Sequence, residues 1–311
     1  MVDEDVYFSI ITVNYNGERF LVNFLNSLVS QTFKKFKLCF VDNGSIDNSI
    51  KVVNDYKDLI DIEIIELDKN YGFARANNIG IDKIMNDKSE FIITLNNDIE
   101  LERDCLEKLN LRIEELKTDY DVFQILMINF FDRNIIDAAG IKFSKHYFTK
   151  QIGYKQDIKT INELDLDISG VCAGAAVYSK KSLLAVKEEQ TGYFDSRFFA
   201  YYEDVDLGLR LLKRGFKSAL IKEAIVFHVH SGTGNQESSF KSYYISRNLC
   251  FYLRKNLTEK EYNNIKFYYI MRFTKIITSC IVKGRFGLIK PTFKGYFDYK
   301  KNIKSLIPLK K

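Results

Sequence analysis

Four short apolar segments divide the first third of the chain, and each ends abruptly at asparagine or aspartate residues. The segments span residues 7–13, 37–41, 62–67 and 91–95. Each has the composition of a strand covered on both faces, and a stretch with the apolar spacing of a helix follows it. This alternation predicts an α/β fold, with a mostly parallel sheet flanked by helices on both faces.

The polar residues at the strand ends stand where such sheets bind ligands, outside the carboxyl ends of the strands. Asn14, Asp42, Asn70 and Asp98 occupy these positions, one for each strand. A carboxylate at the open end of a central strand, as predicted for Asp98, is suited to a divalent cation. The alternative is an ordinary turn, because asparagine and aspartate are favoured there as well.

Composition limits the class of protein. With 311 residues, 46% hydrophobic and 28% charged, the chain is large enough for one domain with an ample core and an extension. The five cysteines are scattered and form no CxxC motif, which predicts a reducing compartment without disulfides or a zinc site. Neither a basic signal peptide nor a long uncharged apolar run occurs, so we expect a cytoplasmic protein without a transmembrane helix.

A second acidic cluster lies at the start of a predicted helix and consists of Glu203, Asp204 and Asp206. Carboxylates are favoured there on structural grounds, because they offset the helix dipole. Five aromatic residues precede the cluster, namely Tyr193, Phe194, Phe198, Phe199 and Tyr201. Aromatic walls with a carboxylate at the base describe a sugar pocket in which the carboxylate accepts a proton from a hydroxyl.

Two histidines and a stretch of small residues are further candidates for the functional site. His228 and His230 alternate along a predicted strand, so their side chains share one face. Either one imidazole reaches a metal or diphosphate, or both histidines are structural. The stretch 169–176 is rich in small residues, which permits a ligand or another backbone to approach closely.

Seven motifs occur in one order along residues 7–235. They span residues 11–17, 41–47, 70–78, 95–98, 192–195, 202–207 and 226–228. Together they resemble the family 2 glycosyltransferases of the GT-A fold, with the closest likeness to the rhamnosyltransferase-like branch that builds bacterial surface polysaccharides. The resemblance implies inverting transfer of a sugar from a nucleotide-diphosphate donor, dTDP-rhamnose or a UDP-sugar. The implied acceptor is a hydroxyl of a saccharide or a lipid-linked saccharide.

The same resemblance implies residues that hold the donor nucleotide. Asp42 and Arg75 would hold the base, and Asn14, Asn77 and Asn97 would lie along the nucleotide. A guanidinium such as that of Arg75 also suits a diphosphate on chemical grounds.

The metal and the catalytic base follow from the resemblance as well. Asp98 would bind Mg²⁺ or Mn²⁺ with His228 nearby, and Asp204, paired with Glu203, would be the base. The sequence departs from the family's DXD motif at Asn96, which leaves a single carboxylate where the family has two.

The C-terminal part differs from the rest in charge. We predict a glycosyltransferase domain over residues 1–240 and a helical extension over residues 241–311. Residues 255–311 carry a net charge of +11, and the remaining chain carries −6. An aromatic stretch broken by Arg272 and Lys275 predicts a helix at the inner face of an anionic membrane, near a lipid-linked acceptor. The alternatives are packing on the body or a homodimer contact; no nucleic-acid module is visible.

Two rival functions remain. A nucleotidyltransferase usually carries a glycine-rich basic loop after the first strand, and residues 14–18 do not fit that pattern. A non-catalytic nucleotide-sugar binding or assembly protein on the same fold stays open, although the set of Asp98, Asp204 and His228 argues against it.

Overall fold

The computed structural model describes residues 8–229 and 238–303. The first half alternates strands and helices as predicted: β1 (Phe8–Asn14), α1 (Glu18–Val29), β2 (Phe36–Asp42), α2 (Ser49–Asn54), β3 (Ile62–Glu66), α3 (Phe73–Ile84) and β4 (Phe91–Leu95). β1 pairs in parallel with β2 and with β4, and β2 pairs in parallel with β3. The predicted α/β fold is confirmed, and the carboxyl ends of these four strands meet at one edge.

The second half completes the sheet with β5 (Ile99–Leu101), α4 (Cys105–Leu116), β6 (Val122–Asn129), β7 (Ile136–Ala138), β8 (Ile141–Phe143), β9 (Thr149–Gln151), β10 (Asp167–Ile168), β11 (Ala175–Ser179), α5 (Lys180–Val186), α6 (Glu203–Lys213) and β12 (Ser218–His228). The strand order is β10-β12-β6-β11-β4-β1-β2-β3. β11 runs antiparallel to β4 and β6, whereas β12 is parallel to β6. The sheet is therefore mostly parallel, and His228 ends a strand at the same edge as Asn14.

Three strands predicted from apolar patterns in the second half need correction. The patterns at 217–221 and 224–230 predict two short strands, but they form the single strand β12, because a bulge between Ile221 and Ile225 lets pairing with β6 continue. The pattern over 135–143 predicts one strand, which is broken between β7 and β8 at Gly140, whose φ is 110°. The pattern over 168–178 also predicts one strand, and the structure has two, β10 and β11. Short β5, directly after Asp98, was not predicted.

The sheet separates two hydrophobic cores, because successive side chains of a strand point to opposite faces. Ile10 and Ile93 pack into one core with α1 and α4. Ile11 and Ile92 pack into the other, with α3 and α6. Burial on both faces explains why these strands read as continuous apolar runs.

Three helices follow: α7 (Ser239–Asn256), α8 (Glu259–Val282) and α9 (Ile289–Asp298). A third core joins α7 to the body, and it includes Phe198, Val205, Leu209, Leu249, Phe251 and Tyr252. α9 packs on α7, where Ser246 Oγ donates to the Thr292 carbonyl at 2.8 Å. In α8, burial is confined to Ile265 and Cys280 among its 24 described residues. The domain division at residue 240 stays a prediction.

Within the described ranges, every helix is too short or too polar to cross a membrane.

Candidate active site

A network of buried polar side chains connects the ends of β1, β2 and β4. Asn14 donates from Nδ2 to Asp42 Oδ1 at 3.1 Å, and Asn97 Nδ2 donates to Asn14 Oδ1 at 2.6 Å. The N–H of Ser45 donates to the other oxygen of Asp42 at 2.8 Å. We call Asn14, Asp42, Ser45 and Asn97 the strand-end network. The structure thus brings three of the predicted donor-binding residues together.

Gly17 lets the start of α1 approach this network. A Cβ at this position would collide with Asn97 Nδ2 and Asn14 Oδ1. The glycine is therefore needed for the close approach and not for an unusual φ.

The other two predicted donor-binding residues lie apart from the network. Arg75 is exposed on α3, and its guanidinium lies 4.4 Å from the centre of the Tyr71 ring. Asn77 is buried and donates to the Phe73 carbonyl within its own helix at 2.9 Å. Asn43, to which no role was assigned, connects β2 to the Asn70 loop, with Nδ2 donating to Asn70 Oδ1 at 3.0 Å.

His228 lies between two carboxylates. Its Nε2 is 3.2 Å from Asp98 Oδ1, and its Nδ1 is 2.6 Å from Asp137 Oδ2. Burial would lower the pKa of His228, but the contacts with Asp137 and Asp98 outweigh it and raise the pKa to about 9. We call Asp98, His228 and Asp137 the histidine triad. The sequence predicted the pairing of Asp98 with His228 but missed Asp137, which lies on a short strand with no motif around it.

The donor set of the histidine triad fits a divalent cation. A carboxylate and an imidazole nitrogen face each other, and a second carboxylate orients the imidazole from its far side, as is usual around metal-bound histidines. Within residues 8–229 and 238–303, no group of three or more acidic, histidine or cysteine side chains is arranged to hold a metal alone. His230 lies outside the described residues.

The Glu203–Asp204 pair begins α6 and faces the segment between β10 and β11. A Cβ added to Gly208 of α6 would lie 3.5 Å from the Gly170 Cα, so the two backbones are in contact. The stretch 169–176, whose small residues predicted the close approach of a ligand or backbone, is therefore approached closely by α6. As a result, the Ala173 N–H donates to Asp204 Oδ2 at 3.4 Å.

The two carboxylates differ in their surroundings. Glu203 is 6% exposed, and its Oε2 accepts no hydrogen bond from any described residue. Burial, reinforced by the charge of Asp204, raises the pKa of Glu203 well above its usual value. Burial also raises the pKa of Asp204, opposed by the N–H groups of Val205 and Ala173. Glu203 therefore favours the neutral form, and the partly exposed Asp204 is the better base.

Glu203 and Asp204 lie close to the histidine triad through Cys172. Burial raises the pKa of this thiol, and the charges of Asp204, Asp137 and Glu203 add to the rise. The half-buried thiol of Cys172 thus experiences both groups of carboxylates, so they belong to one region of the molecule.

A strained segment precedes the acidic pair. Phe199, Tyr201 and Tyr202 have φ of 68°, 67° and 75°, in the left-handed region that side chains other than glycine rarely adopt. Asn248 of α7 supports the segment, with Nδ2 at 2.9, 2.8 and 2.7 Å from the carbonyl oxygens of Phe198, Ala200 and Tyr201.

Arg247, the neighbour of Asn248 on α7, also donates hydrogen bonds to the backbone that precedes the acidic pair. Its Nη2 reaches the Arg197 and Phe198 carbonyls, each at 2.7 Å. These bonds connect Arg247 to the same strained segment that Asn248 supports.

Asp206 serves a different purpose from its two neighbours. It is fully buried and accepts bonds from Arg210 Nε at 2.8 Å, Lys255 Nζ at 2.8 Å and Asn256 Nδ2 at 2.7 Å. Lys255 also reaches Asp195 at 2.8 Å. Burial would raise the pKa of Asp206, but the nearby cations and Asn256 lower it. The spacing of Asp206 and Arg210 by four residues was the sequence signal for this role.

The predicted aromatic pocket is partly wrong. Tyr193, Phe194 and Phe198 are at most 1% exposed and belong to the cores. Phe199 and Tyr201 are partly exposed, and the Phe199 ring stacks on Tyr244 at 5.2 Å. The sequence could not show which aromatic residues of this stretch face inward.

A mostly parallel sheet with polar strand ends and an acidic pair on a following helix is the architecture of the GT-A fold, the fold of its structural neighbours. The structure resembles Staphylococcus aureus TarS 1–349 in complex with UDP-GlcNAc, with a TM-score of 0.58 and 17% identity over 94% of this chain and 80% of that chain. The chain belongs to glycosyl transferase family 2, whose family model matches residues 9–186, more than half of its length.

Two curated relatives are informative. The O-antigen chain rhamnosyltransferase RfbN of Salmonella typhimurium is 24% identical over 246 residues, which cover 76% of this chain and 70% of RfbN. The poly(ribitol-phosphate) beta-N-acetylglucosaminyltransferase TarS of Staphylococcus aureus is 26% identical over 125 residues, which cover 39% of this chain. That match spans only 21% of TarS.

Proposed function

We propose that this glycosyltransferase moves a sugar, with inversion, from a nucleotide-diphosphate donor to a hydroxyl of a saccharide or lipid-linked saccharide in surface polysaccharide synthesis. The donor would be dTDP-rhamnose or a UDP-sugar. The observation that carries the proposal is the Glu203–Asp204 pair, which is buried on one side, has raised pKa values and begins α6 beside the histidine triad. The names of RfbN and TarS support a sugar-nucleotide reaction on a cell-surface polymer.

The donor nucleotide would occupy the strand-end network. Asp42 accepts from Asn14 and Ser45 and is 3% exposed, so its position is fixed before any ligand binds. Arg75, stacked on Tyr71, is an exposed cation on the helix that follows β3 and would contact the base or the diphosphate.

Asp98 and His228 would hold Mg²⁺ or Mn²⁺, with further ligands from the donor diphosphate, because the described residues do not enclose an ion by themselves. When bound, the ion would offset the negative charge that grows on the departing diphosphate. Asp137 would keep the His228 ring oriented through Nδ1.

Asp204 would accept the proton of the acceptor hydroxyl. The N–H of Val205 donates to Oδ1 at 2.8 Å, which fixes the carboxylate, while Oδ2 accepts a longer bond of 3.4 Å from the Ala173 N–H. The hydroxyl oxygen would attack the anomeric carbon opposite the diphosphate, so one displacement inverts the configuration. Positioned base catalysis of this kind contributes roughly 10²–10⁴ in rate.

The C-terminal helices would bring the enzyme to an anionic membrane at the cytoplasmic face. Phe267, Ile270 and Met271 are 67%, 52% and 53% exposed on α8, and basic residues flank them. The packing of α7 and α9 on one another leaves this face of α8 open. Flotation with anionic liposomes at low salt tests the contact.

A donor screen followed by a turnover assay tests the proposed function. Thermal shifts with dTDP-, UDP- and GDP-sugars in Mn²⁺ should identify the donor, and slow metal-dependent hydrolysis of that donor should follow. Donor binding without turnover across a panel of acceptors would instead support a non-catalytic binding protein.

A further inference from the structure

The three C-terminal helices enclose a groove of about 540 Å³, a volume typical of small-molecule sites. Ile245 and Leu249 of α7 form one wall, and Phe273 and Ile276 of α8 form the other. Leu288, which precedes α9, lies at the end. We call this space the C-terminal groove. These walls are apolar, and the groove, which the hydroxyl groups of Ser242, Ser246, Ser279 and Thr292 also line, opens to solvent.

Four cations line the same groove: Lys241, Arg272, Lys275 and Arg285. Among its described lining residues there is no aspartate or glutamate. Cations gathered around apolar walls favour a ligand that carries both negative charge and hydrocarbon. The cations stabilise the charged part, and the apolar walls accommodate the hydrocarbon but not a charged group. A phosphate-bearing lipid has this chemistry.

The groove is connected to the candidate active site through two of its cations. Lys241 Nζ lies 5.8 Å from the centre of the Tyr201 ring. Burial raises the pKa of the Tyr202 hydroxyl, and the neighbouring Arg272 guanidinium opposes that rise. Tyr202 directly precedes Glu203, the first residue of α6, so the groove borders the segment that leads into the acidic pair.

We propose that the C-terminal groove binds the diphosphate and adjoining hydrocarbon of a lipid-linked sugar, and thereby presents the acceptor hydroxyl to Asp204. The proposal rests on the proposed function and adds to it the part of the acceptor that the enzyme recognises. The cations bind the diphosphate, and the apolar walls cover the first part of the chain.

Calorimetric titration of the full chain with three probes tests the proposal without any donor or turnover. The probes are farnesyl diphosphate, inorganic pyrophosphate and farnesol, each below the concentration at which it aggregates. Farnesyl diphosphate should bind at least about tenfold more tightly than either of the others, since it alone supplies both charge and hydrocarbon.

Matched variants locate the site. Lys275→Gln combined with Arg285→Gln should weaken farnesyl diphosphate binding by about tenfold or more. Lys266→Gln combined with Lys290→Gln removes the same charge from exposed positions outside the groove and should leave binding unchanged. Melting temperatures of both double variants equal to that of the wild type would show that both remain folded.

Three results would overturn the proposal. Pyrophosphate that binds as tightly as farnesyl diphosphate would indicate an anion site alone. Dihexanoyl phosphatidylglycerol that binds equally well would indicate a site for membrane phospholipid. Equal weakening by both double variants would indicate a general charge effect. UDP binding, measured on the same samples, separates the groove proposal from the proposed function. A protein that binds UDP but not farnesyl diphosphate would refute the groove as a lipid site and leave the proposed function intact.

Discussion

The side-chain nitrogen of Asn248 lies 2.7 Å from the carbonyl oxygen of Tyr201, a residue held in the left-handed region at a φ of 67°. Two residues later, Glu203 begins the helix that carries the acidic pair. A helix of the C-terminal part thus holds the backbone that positions groups of the candidate active site. Asn248 is a positioning residue, because it acts on these groups through the segment.

Asn248→Ala should lower kcat by roughly 10–10²-fold, because a small displacement of a catalytic group is costly. KM for the donor should change less than kcat, since the Asn248 side-chain nitrogen donates to residues 198–201 and not to the strand-end network. Steady-state kinetics of Asn248→Ala and of the exposed control Asn264→Ala provide the measurement. A variant that loses thermal stability but keeps kcat would show that Asn248 has a structural role only.

Asp204→Asn should affect the rate of transfer and Asp206→Asn the stability of the fold, although the two residues are only two positions apart. Asp204→Asn should keep donor binding and stability but lose about 10²–10⁴ in kcat. Asp206→Asn should lose about 3 kcal/mol of stability, because Arg210 and Lys255 stay buried beside a neutral group. Urea unfolding and transfer assays on both variants check this. Transfer by Asp204→Asn at the wild-type rate would refute its role as base.

Glu203→Gln should stabilise the protein at neutral pH. Burial raises the folded-state pKa of Glu203 above its unfolded value, so the folded chain binds the extra proton between the two values. The stability that this group contributes is complete below the unfolded pKa, about 4.3, and is lost as pH rises through the folded pKa. Urea midpoints from pH 4 to 8 should show a gain for Glu203→Gln that grows with pH. A gain of equal size at every pH would contradict this.

The sequence predicted what depends on local patterns. The strand ends Asn14, Asp42 and Asp98 meet at one sheet edge because parallel strands share a direction, and that follows from alternation alone. Asp137 could not be found in this way, because its contact with His228 depends on the pairing of β7 with β6 across the sheet. Asn248 was missed for the same reason, since its partners lie about 50 residues earlier in the chain.

Asp98→Ala should abolish any dependence of donor binding on metal. Titrations of the donor with Mn²⁺ and with EDTA should differ for the wild type and coincide for the variant. Asp137→Asn should weaken the metal effect by about 10–100-fold without removing it, as expected for a group that orients a ligand. Identical wild-type titrations with and without EDTA would disprove a role for the ion in binding.

Gly17→Ala should disrupt the strand-end network, because the added methyl group occupies the space of the Asn14–Asn97 hydrogen bond. We expect donor binding to weaken by about tenfold, which corresponds to the net contribution of one hydrogen bond. Gly215→Ala is a useful comparison, since a Cβ there meets no described atom within 4 Å, although its φ of 86° adds strain. Calorimetry with the donor identified in the screen checks the outcome. Weakened binding in both variants would point to general destabilisation.

The ammonium of Lys255 in α7 forms ion pairs with both Asp195 and Asp206, which are fully buried in the preceding part of the chain. A shortened protein that ended before α7 would retain these two carboxylates and lose their shared cation. Exchange of C-terminal helices between related enzymes would likewise leave the buried carboxylates without this cation, unless the lysine and both aspartates were exchanged together. Recombination during evolution would thus favour inheritance of the sheet and α7 as one unit.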